Sequence, residues 1–156
     1  MSGVVRVDNT DSTTDHGKPP PRWLLKLFTR INVFVYKLSG GRLMDELSGM
    51  PIVLVKMTGA RSGRTIEIPL MHVPHEKGFI LVASQGGAPK NPAWYHNLVK
   101  HPEIEITFRG ETRRLTARRV DDEEKAMLWP ICVEYYPPYE EYQQRTDRNI
   151  PVFLCE

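Results

Sequence analysis

Residues 51–73, PIVLVKMTGARSGRTIEIPLMHV, decide the fold, because two runs rich in β-branched residues flank a glycine-containing turn. The pattern predicts one strand over 51–58, a turn over 59–64 and a second strand over 65–73. Pro69 lies inside the second run and has no backbone N–H, so it marks a sheet edge or a break in the ladder. The segment therefore predicts two short strands joined by a tight turn.

The rest of the chain adds short strands and helices to this pair. Further strands are predicted over 79–83, 103–109, 112–120 and 150–155, and helices over 91–100 and from Asp121 onward. Asp121 caps the second of these helices with Glu124 as its capping-box partner, and Pro130 must kink or end it. Five or six strands, mostly joined by hairpins, predict an α+β fold around an antiparallel sheet or small barrel. No GxGxxG motif or strand–helix–strand alternation occurs, which argues against a Rossmann nicotinamide site.

The N-terminal part divides into a tail and a helix. Residues 1–21 are polar and end in three prolines, so we expect a disordered tail. Residues 22–38 carry apolar side chains at spacings of three and four, typical of an amphipathic helix, and their charged residues are all cations. In the favoured interpretation this helix covers the barrel mouth. In the alternative it makes a peripheral contact with anionic lipid.

Composition and charge limit the range of functions. The chain has 156 residues, of which 40% are hydrophobic and 26% are charged, as in one soluble globular domain. A net charge of +2 is too balanced for a protein that coats nucleic acid. Cys132 and Cys155 are the only cysteines, which argues against a disulfide scaffold or a cysteine zinc site. With no apolar run of about 20 residues and no signal-peptide pattern, the sequence predicts a cytoplasmic protein.

Two loops have features of anion-binding sites. The turn 59–64 combines two glycines, a hydroxyl and two guanidiniums, which suit a phosphate or carboxylate; a solvated hairpin turn is the alternative. The loop 84–92 precedes a helix for which Asn91 is a plausible N-cap and Pro92 the first residue, so amide donors and the helix dipole point toward it. Lys90 adds a cation there. Together the two loops predict a polyanionic ligand.

Aromatic side chains accompany these loops. Four of the six tyrosines fall within residues 135–142, where Tyr139 and Tyr142 share a face of a helical turn. Their phenols either stack on a planar substrate and donate to an oxygen that gains negative charge, or only fasten the C-terminal helix to the barrel. Trp94 either walls an aromatic ligand or is a half-buried core residue. No His/Cys cluster has metal-ligand spacing, so no metal site is predicted.

Four motifs occur in order over most of residues 22–156. They are TGARSGR (58–64), Pro69-Leu70, LVASQGGAPKNPAWYHNL (81–98) and YPPYEEYQQRTDRNIP (136–151). In this order they resemble the deazaflavin-dependent nitroreductase family of actinobacteria, which uses coenzyme F420. The resemblance implies a single split β-barrel domain over 22–156, similar to the FMN-binding barrels. We expect it to act on a small-molecule substrate as a monomer or weak dimer.

The resemblance also implies which residues hold the cofactor. Its polyanionic tail is expected against the turn 61–64, and its ring over 68–70. The residues implied are Lys56, Arg61, Ser62, Gly63, Arg64, Ile68, Pro69, Leu70, Ser84, Gln85, Gly86, Gly87, Lys90, Asn91, Trp94 and Asn97. Gln85 departs from the family pattern, because many relatives have lysine there, and this change removes a cation from the neighbourhood of the anionic cofactor.

The function implied is hydride transfer from reduced F420 to small planar electrophiles, namely quinones, enones and nitroaromatics. Tyr136, Tyr139 and Tyr142, with Ser84 opposite them, are the implied substrate-pocket residues and hydrogen-bond or proton donors. Two alternatives stay open at this point. One is an FMN-dependent reductase on the same barrel, and the other is a non-enzymatic carrier of F420 or of an aromatic ligand.

Overall fold

The computed structural model describes residues 52–156, so the predicted tail 1–21 and basic helix 22–38 lie outside the described residues. In chain order the elements are β1 (Ile52–Thr58), β2 (Thr65–Met71), β3 (Val73–His75), β4 (Gly78–Val82), a 3-10 turn (Gln85–Gly87), α1 (Ala93–Lys100), β5 (Glu103–Phe108), β6 (Glu111–Arg119), α2 (Asp122–Tyr135), α3 (Pro138–Gln144) and β7 (Val152–Cys155). Within this range no helix is long and apolar enough to cross a membrane.

The strands form one antiparallel sheet in the order β2-β1-β5-β6-β7-β4-β3. β1 and β2 pair across the turn 59–64, with Ile52 opposite Met71 and Thr58 opposite Thr65. Because β2 also contacts β4, near the other end of this order, the sheet curls toward a barrel. Among the described strands β2 lies at an edge, which confirms the edge position that Pro69 predicts. The predicted α+β class is confirmed, with seven strands in place of the expected five or six.

The predicted second strand, 65–73, is two strands that meet at a corner. β2 pairs with β1 at one edge of the sheet and β3 pairs with β4 at the other, so the chain changes its hydrogen-bonding partner at His72. His72 is 1% exposed and packs edge-on against Phe79 and Phe108. The prediction of one continuous strand is therefore wrong, because the β-type side-chain pattern runs through the corner while the ladder does not.

Side chains pack against both faces of the curled sheet, and β4 contributes alternate residues to each. On one face α1 packs through Leu98 against the cluster that holds Val55 and Phe153. On the other face α2 and α3 pack through Cys132 and Tyr139 against residues of β3, β4 and β7. Burying each large apolar side chain in this way stabilises the fold by about 1.5–3 kcal/mol. The two layers therefore hold α1 and α3 on opposite sides of the same strand.

α2 begins as predicted, and Pro130 does not end it. The Asp121 carboxylate accepts the amide of Glu124 at 2.8 Å, which confirms the cap, while the Glu124 carboxylate binds Arg118 and does not complete the capping box. Of the two effects expected of Pro130, a kink or an end, the end does not occur, because the helix continues to Tyr135. Leu128 and Cys132, two residues before and after the proline, are buried, and their packing outweighs the one hydrogen bond that proline removes.

Both cysteines are buried free thiols, Cys132 in α2 and Cys155 in β7. Burial raises the pKa of Cys132 to about 11 and the pKa of Cys155 to about 12, from an ordinary 9.0. Because their pKa values are higher in the folded than in the unfolded state, the two protonated thiols make their full contribution to the free energy of unfolding below pH 9.0. That contribution is lost as the pH rises toward 11 to 12.

Thiol alkylation tests this burial directly. Since the thiolate is the reacting form, we expect iodoacetamide at pH about 8 to label the folded protein at least about 100-fold more slowly than the urea-unfolded chain. A Lys77→Cys variant, whose added thiol lies on the exposed β3–β4 turn, is the positive control and should react at the rate of a free cysteine. Labelling of the two native thiols at that rate would contradict the packing of α2 and β7.

Candidate active site

A cavity of about 330 Å³ opens where β2 and β4 end, a size suited to a small ligand. It is lined by Leu70, Met71, Val82, Ser84, Gln85, Pro92, Trp94, Tyr136, Tyr139 and Tyr142. The structure thus brings the predicted tyrosines, Ser84 and Trp94 to one place. The sequence did not indicate Met71 and Val82, because as apolar residues they cannot be told from core residues by pattern. Within residues 52–156 no group of three His, Cys, Asp or Glu side chains could hold a metal ion.

The loop after β4 has an unusual backbone. Gln85, Gly86 and Gly87 have φ values of +46°, +64° and +78°, so all three lie in the left-handed region. The amide of Gly87 donates to the Ser84 carbonyl at 3.0 Å, and the amide of Ala88 donates to the Gln85 carbonyl at 3.2 Å. The amides of Gln85 and Gly86 donate to no acceptor within residues 52–156. Among the described residues, the loop therefore has two backbone donors without an acceptor, and Gln85, which bears one of them, lines the cavity.

One guanidinium holds this loop in place. Arg148 Nε donates to the Ala88 carbonyl at 2.8 Å and Nη2 donates to the Ser84 carbonyl at 2.7 Å. Its Nη1 donates to the Ala83 carbonyl at 3.1 Å and to Asn91 Oδ1 at 2.8 Å. Sequence reasoning missed Arg148, although it lies inside the fourth motif, because nothing local distinguishes it from the neighbouring Arg145.

Two of the cavity tyrosines, Tyr136 and Tyr139, have raised pKa values and are neutral phenols at physiological pH. Tyr139 is 3% exposed, burial raises its pKa, and its hydroxyl donates to the sulfur of Met71 at 3.7 Å. The hydroxyls of Tyr136 and Tyr142 are hydrogen-bonded to each other at 3.3 Å, and this bond raises the pKa of Tyr136. The rings of Tyr136 and Tyr139 meet edge to face with centroids 5.0 Å apart. The cluster therefore offers flat apolar walls and protonated donors together.

The turn 59–64 is exposed at its tip and fastened to α1 at its base. The amide of Ala60 donates to Asn97 Oδ1 at 2.8 Å, and Lys100 Nζ donates to the Ala60 carbonyl at 2.7 Å. The tip bears the exposed side chains of Arg61 and Arg64, and Gly63 between them has a φ of +65°. Two guanidiniums and the Lys100 ammonium thus surround one tight turn, an arrangement that suits phosphate or carboxylate groups. α1 carries this turn at its last residues and Trp94 in its first turn.

Residues 28–156 match the F420H(2)-dependent quinone reductase family. The chain belongs to this family. It is 34% identical over 141 residues to the F420H(2)-dependent quinone reductase Rv1261c of Mycobacterium tuberculosis, a match that covers 85% of this chain and 95% of the relative. The match confirms the coenzyme F420 class that the sequence motifs imply, with quinone reduction in the family's description.

Solved structures support the same assignment. The structure of an F420-H2 dependent reductase, FDR-A, is 45% identical and has a TM-score of 0.63, covering 68% of this chain and 94% of that one. A structure described as a domain-swapped dimer is 38% identical with a TM-score of 0.63, covering 80% of this chain and 98% of that one. The likeness to FDR-A confirms the predicted split β-barrel class.

Some residues expected at the cofactor are not brought to the cavity. Lys56 precedes Met57 in β1, and Met57 contacts Asn97 of α1, so strand alternation points Lys56 to the opposite face. There its ammonium binds Glu105 at 2.8 Å, beside a separate cavity of about 350 Å³ that Arg114 also lines. The location of Lys56 could not be foreseen, because it depends on which face of β1 meets α1.

Other residues expected to bind the cofactor either bond to other protein groups or lie outside the cavity lining. Asn91 does not cap α1, which begins at Ala93 after Pro92; the Asn91 side chain accepts from Arg148 instead. Asn97 is 8% exposed and bonds Ala60 and Met57, so it supports the turn 59–64 from within. Ile68 packs against the α1-side core, Pro69 lies opposite Leu54 and Lys90 is exposed.

Proposed function

We propose that this chain, an oxidoreductase of the F420-dependent reductase family, reduces quinones and related planar electrophiles in the tyrosine-lined cavity. One observation carries the proposal. A single helix, α1, joins the cavity at its first turn to the cationic turn 59–64 at its last residues. A ligand with a flat ring and an anionic tail has a complementary group at each end of this helix.

The residues present fit such a cofactor. The open amides of Gln85 and Gly86 suit the polar edge of a ring, and the exposed guanidiniums of Arg61 and Arg64 suit phosphate and carboxylate oxygens. Trp94 and Lys100 are six residues apart on α1, which is about 9 Å along the helix axis. The neutral Gln85 leaves the cations of the turn and Lys90 to contact the tail.

Reduced F420, when bound, supplies the hydride, and the chain supplies binding, orientation and hydrogen-bond donors. Trp94 and the tyrosine rings give a planar acceptor flat surfaces to pack on. Addition of hydride to a quinone leaves negative charge on an oxygen, which a neutral phenol stabilises by donation. The Tyr139 hydroxyl has only a weak sulfur acceptor among the described residues. The bond between Tyr136 and Tyr142 uses one of two hydroxyl hydrogens, so another remains available.

Turnover with a defined acceptor tests the proposal. Purified protein is mixed with reduced F420 and menadione, a soluble quinone, and the loss of reduced-cofactor absorbance is followed. We expect steady turnover with menadione and no binding when FMN is titrated in place of F420. Binding of F420 without turnover on any quinone, enone or nitroarene would identify a carrier, and preferential FMN binding would identify an FMN reductase. A folded protein that ignores F420 would overturn the proposal.

Neutralising the cationic turn should weaken cofactor binding. Because each charge-assisted hydrogen bond contributes about 1.5–3 kcal/mol, we expect the Arg61→Gln/Arg64→Gln double variant to raise the Kd for F420 at least about 10-fold and to flatten its salt dependence. Titration calorimetry at low and high salt measures both effects. The control, Lys77→Gln/Arg118→Gln, removes the same net charge elsewhere and should leave the Kd within about twofold. Equal losses in the two double variants would show that only overall charge matters.

A further inference from the structure

Resting on the function proposed above, the structure assigns to Arg148 the role of a positioning residue for the reaction. It fixes the loop 84–87 so that the loop's backbone donors face the bound ligand. Arg148 does not line the cavity itself, so it acts through the residues that do.

The acceptors of Arg148 lie on both sides of the left-handed run 85–87. Two of them, the carbonyls of Ala83 and Ser84, precede the run, and the carbonyl of Ala88 and the side chain of Asn91 follow it. One planar guanidinium therefore joins the two ends of the loop. Without it, the two turn hydrogen bonds and the packing of Gly87 on Tyr142 would have to hold three residues in the left-handed region, one of them not glycine.

The same contacts set the direction of a donor. In a trans peptide the carbonyl oxygen and the following N–H point in opposite directions. By holding the carbonyl of Ser84 at 2.7 Å, Arg148 turns the N–H of Gln85 away from itself. That N–H has no acceptor within residues 52–156, and Gln85 lines the cavity. The guanidinium thus keeps an amide donor, which has no acceptor among the described residues, at the position where the ligand is expected.

Arg148 also ties the loop to the tyrosine helix. Its own carbonyl accepts from Gln143 Nε2 at 2.8 Å, and Gln143 follows Tyr142 in α3. Gly87 packs against the Tyr142 carbonyl, where a Cβ would come within 2.6 Å. Gln143 Oε1 in turn accepts from the amide of Ile150 at 3.0 Å. The amide donors of the loop and the phenols of α3 are therefore held in one fixed arrangement.

Lysine cannot replace this arrangement. A guanidinium presents five N–H donors in a rigid plane, whereas an ammonium presents three from a single point. Arg148→Lys keeps the positive charge, but its three hydrogens on a single nitrogen cannot bond all four acceptors of Arg148, which are spread from Ala83 to Asn91. Arg148→Gln removes the charge as well. If only charge matters, lysine restores function; if the planar shape matters, both variants lose it.

The test compares Arg148→Lys and Arg148→Gln with the control Arg118→Gln. The control also removes an arginine that makes two hydrogen bonds, in this case to the carboxylate of Glu124 at the surface. With reduced F420 and menadione, we expect both Arg148 variants to lose about 100-fold in kcat/KM, mainly in kcat, and Arg118→Gln to stay within about twofold of the wild type. Hydrogen exchange at the Gly87 and Ala88 amides, which close the loop, should be at least about 10-fold faster in the Arg148 variants only.

Each outcome decides between the two proposals. A wild-type protein without turnover refutes the proposed function, while the exchange measurement still tests whether Arg148 orders the loop. Wild-type kcat/KM in Arg148→Lys overturns the positioning role, and so does unchanged exchange at Gly87 and Ala88. A loss in Arg118→Gln as large as that in the Arg148 variants also overturns it, because general destabilisation would then account for the effect.

Discussion

Gly87→Ala is expected to lower the free energy of unfolding by about 2–5 kcal/mol and to reduce kcat/KM about 100-fold. Gly87 has a φ of +78°, and a Cβ there would lie 2.6 Å from the carbonyl oxygen of Tyr142. The left-handed conformation alone disfavours alanine by about 1–2 kcal/mol. The contact adds to this because α3 or the loop must move to relieve it, and α3 carries Tyr139 and Tyr142 into the cavity.

Gly86→Ala is the matched control for this variant. Gly86 has a φ of +64°, but no atom lies within 4 Å of a Cβ built there. This substitution therefore carries the backbone effect alone, about 1–2 kcal/mol. Urea unfolding of both variants measures the difference between them, and the same preparations give kcat/KM for Gly87→Ala. Equal stabilities would contradict the close packing of the loop on α3.

Tyr139→Ala is expected to destabilise the protein by about 3–5 kcal/mol, because it removes a ring that is buried in the packing between α3 and the sheet. Tyr139 is 3% exposed and packs against the rings of Tyr136 and Trp129. Tyr139→Phe keeps that ring and should change the stability by less than about 1 kcal/mol, since the hydroxyl has only the Met71 sulfur as a partner among the described residues. Thermal and urea unfolding of the two variants check this contrast.

The kinetics of Tyr139→Phe show whether Tyr139 only forms part of the cavity wall or also donates a hydrogen bond to the substrate. If the hydroxyl donates to the developing oxyanion, we expect kcat to fall about 100-fold. Burial raises the pKa of Tyr139 above its ordinary 10.0, so the ratio of wild-type to variant rates should stay constant between about pH 6 and 9. Tyr135→Phe, on the exposed side of α2, is the control. Wild-type rates in Tyr139→Phe would move the donor role to the Tyr136–Tyr142 pair or to Ser84.

Local causes made much of the fold predictable. The Asp121 cap and the edge position of Pro69 each follow from chemistry within a few residues, and the structure confirms both. The corner at His72 and the passage of α2 through Pro130 do not follow from such causes. The first depends on which distant strands pair with β2 and β3, and the second on burial of the helix on both sides of the proline. Both features depend on tertiary packing, which cannot be predicted from a short stretch of sequence.

The candidate site divides in the same way. The tyrosine cluster and the loop 84–87 were predictable, because turn-forming residues and aromatic residues are concentrated in short motifs. Arg148 was not, because its acceptors lie 57 to 65 positions earlier in the chain. The resemblance places Lys56 near the cofactor. Its ion-pair partner, Glu105, lies 49 positions later in the chain, and the pair stands on the face of the sheet opposite α1. Motifs identify segments, whereas the direction of a side chain depends on the completed sheet.

Two opposing selective pressures act on residue 85, one from its backbone conformation and one from its place in the cavity lining. A φ of +46° favours glycine or asparagine, and a residue with a longer side chain is disfavoured there by about 1–2 kcal/mol. Selection for heat resistance alone would favour the smaller residues, whereas selection for contact with a ligand in the cavity that Gln85 lines favours a long polar side chain. Directed evolution for thermostability that does not also select for ligand binding should therefore replace Gln85 with glycine or asparagine.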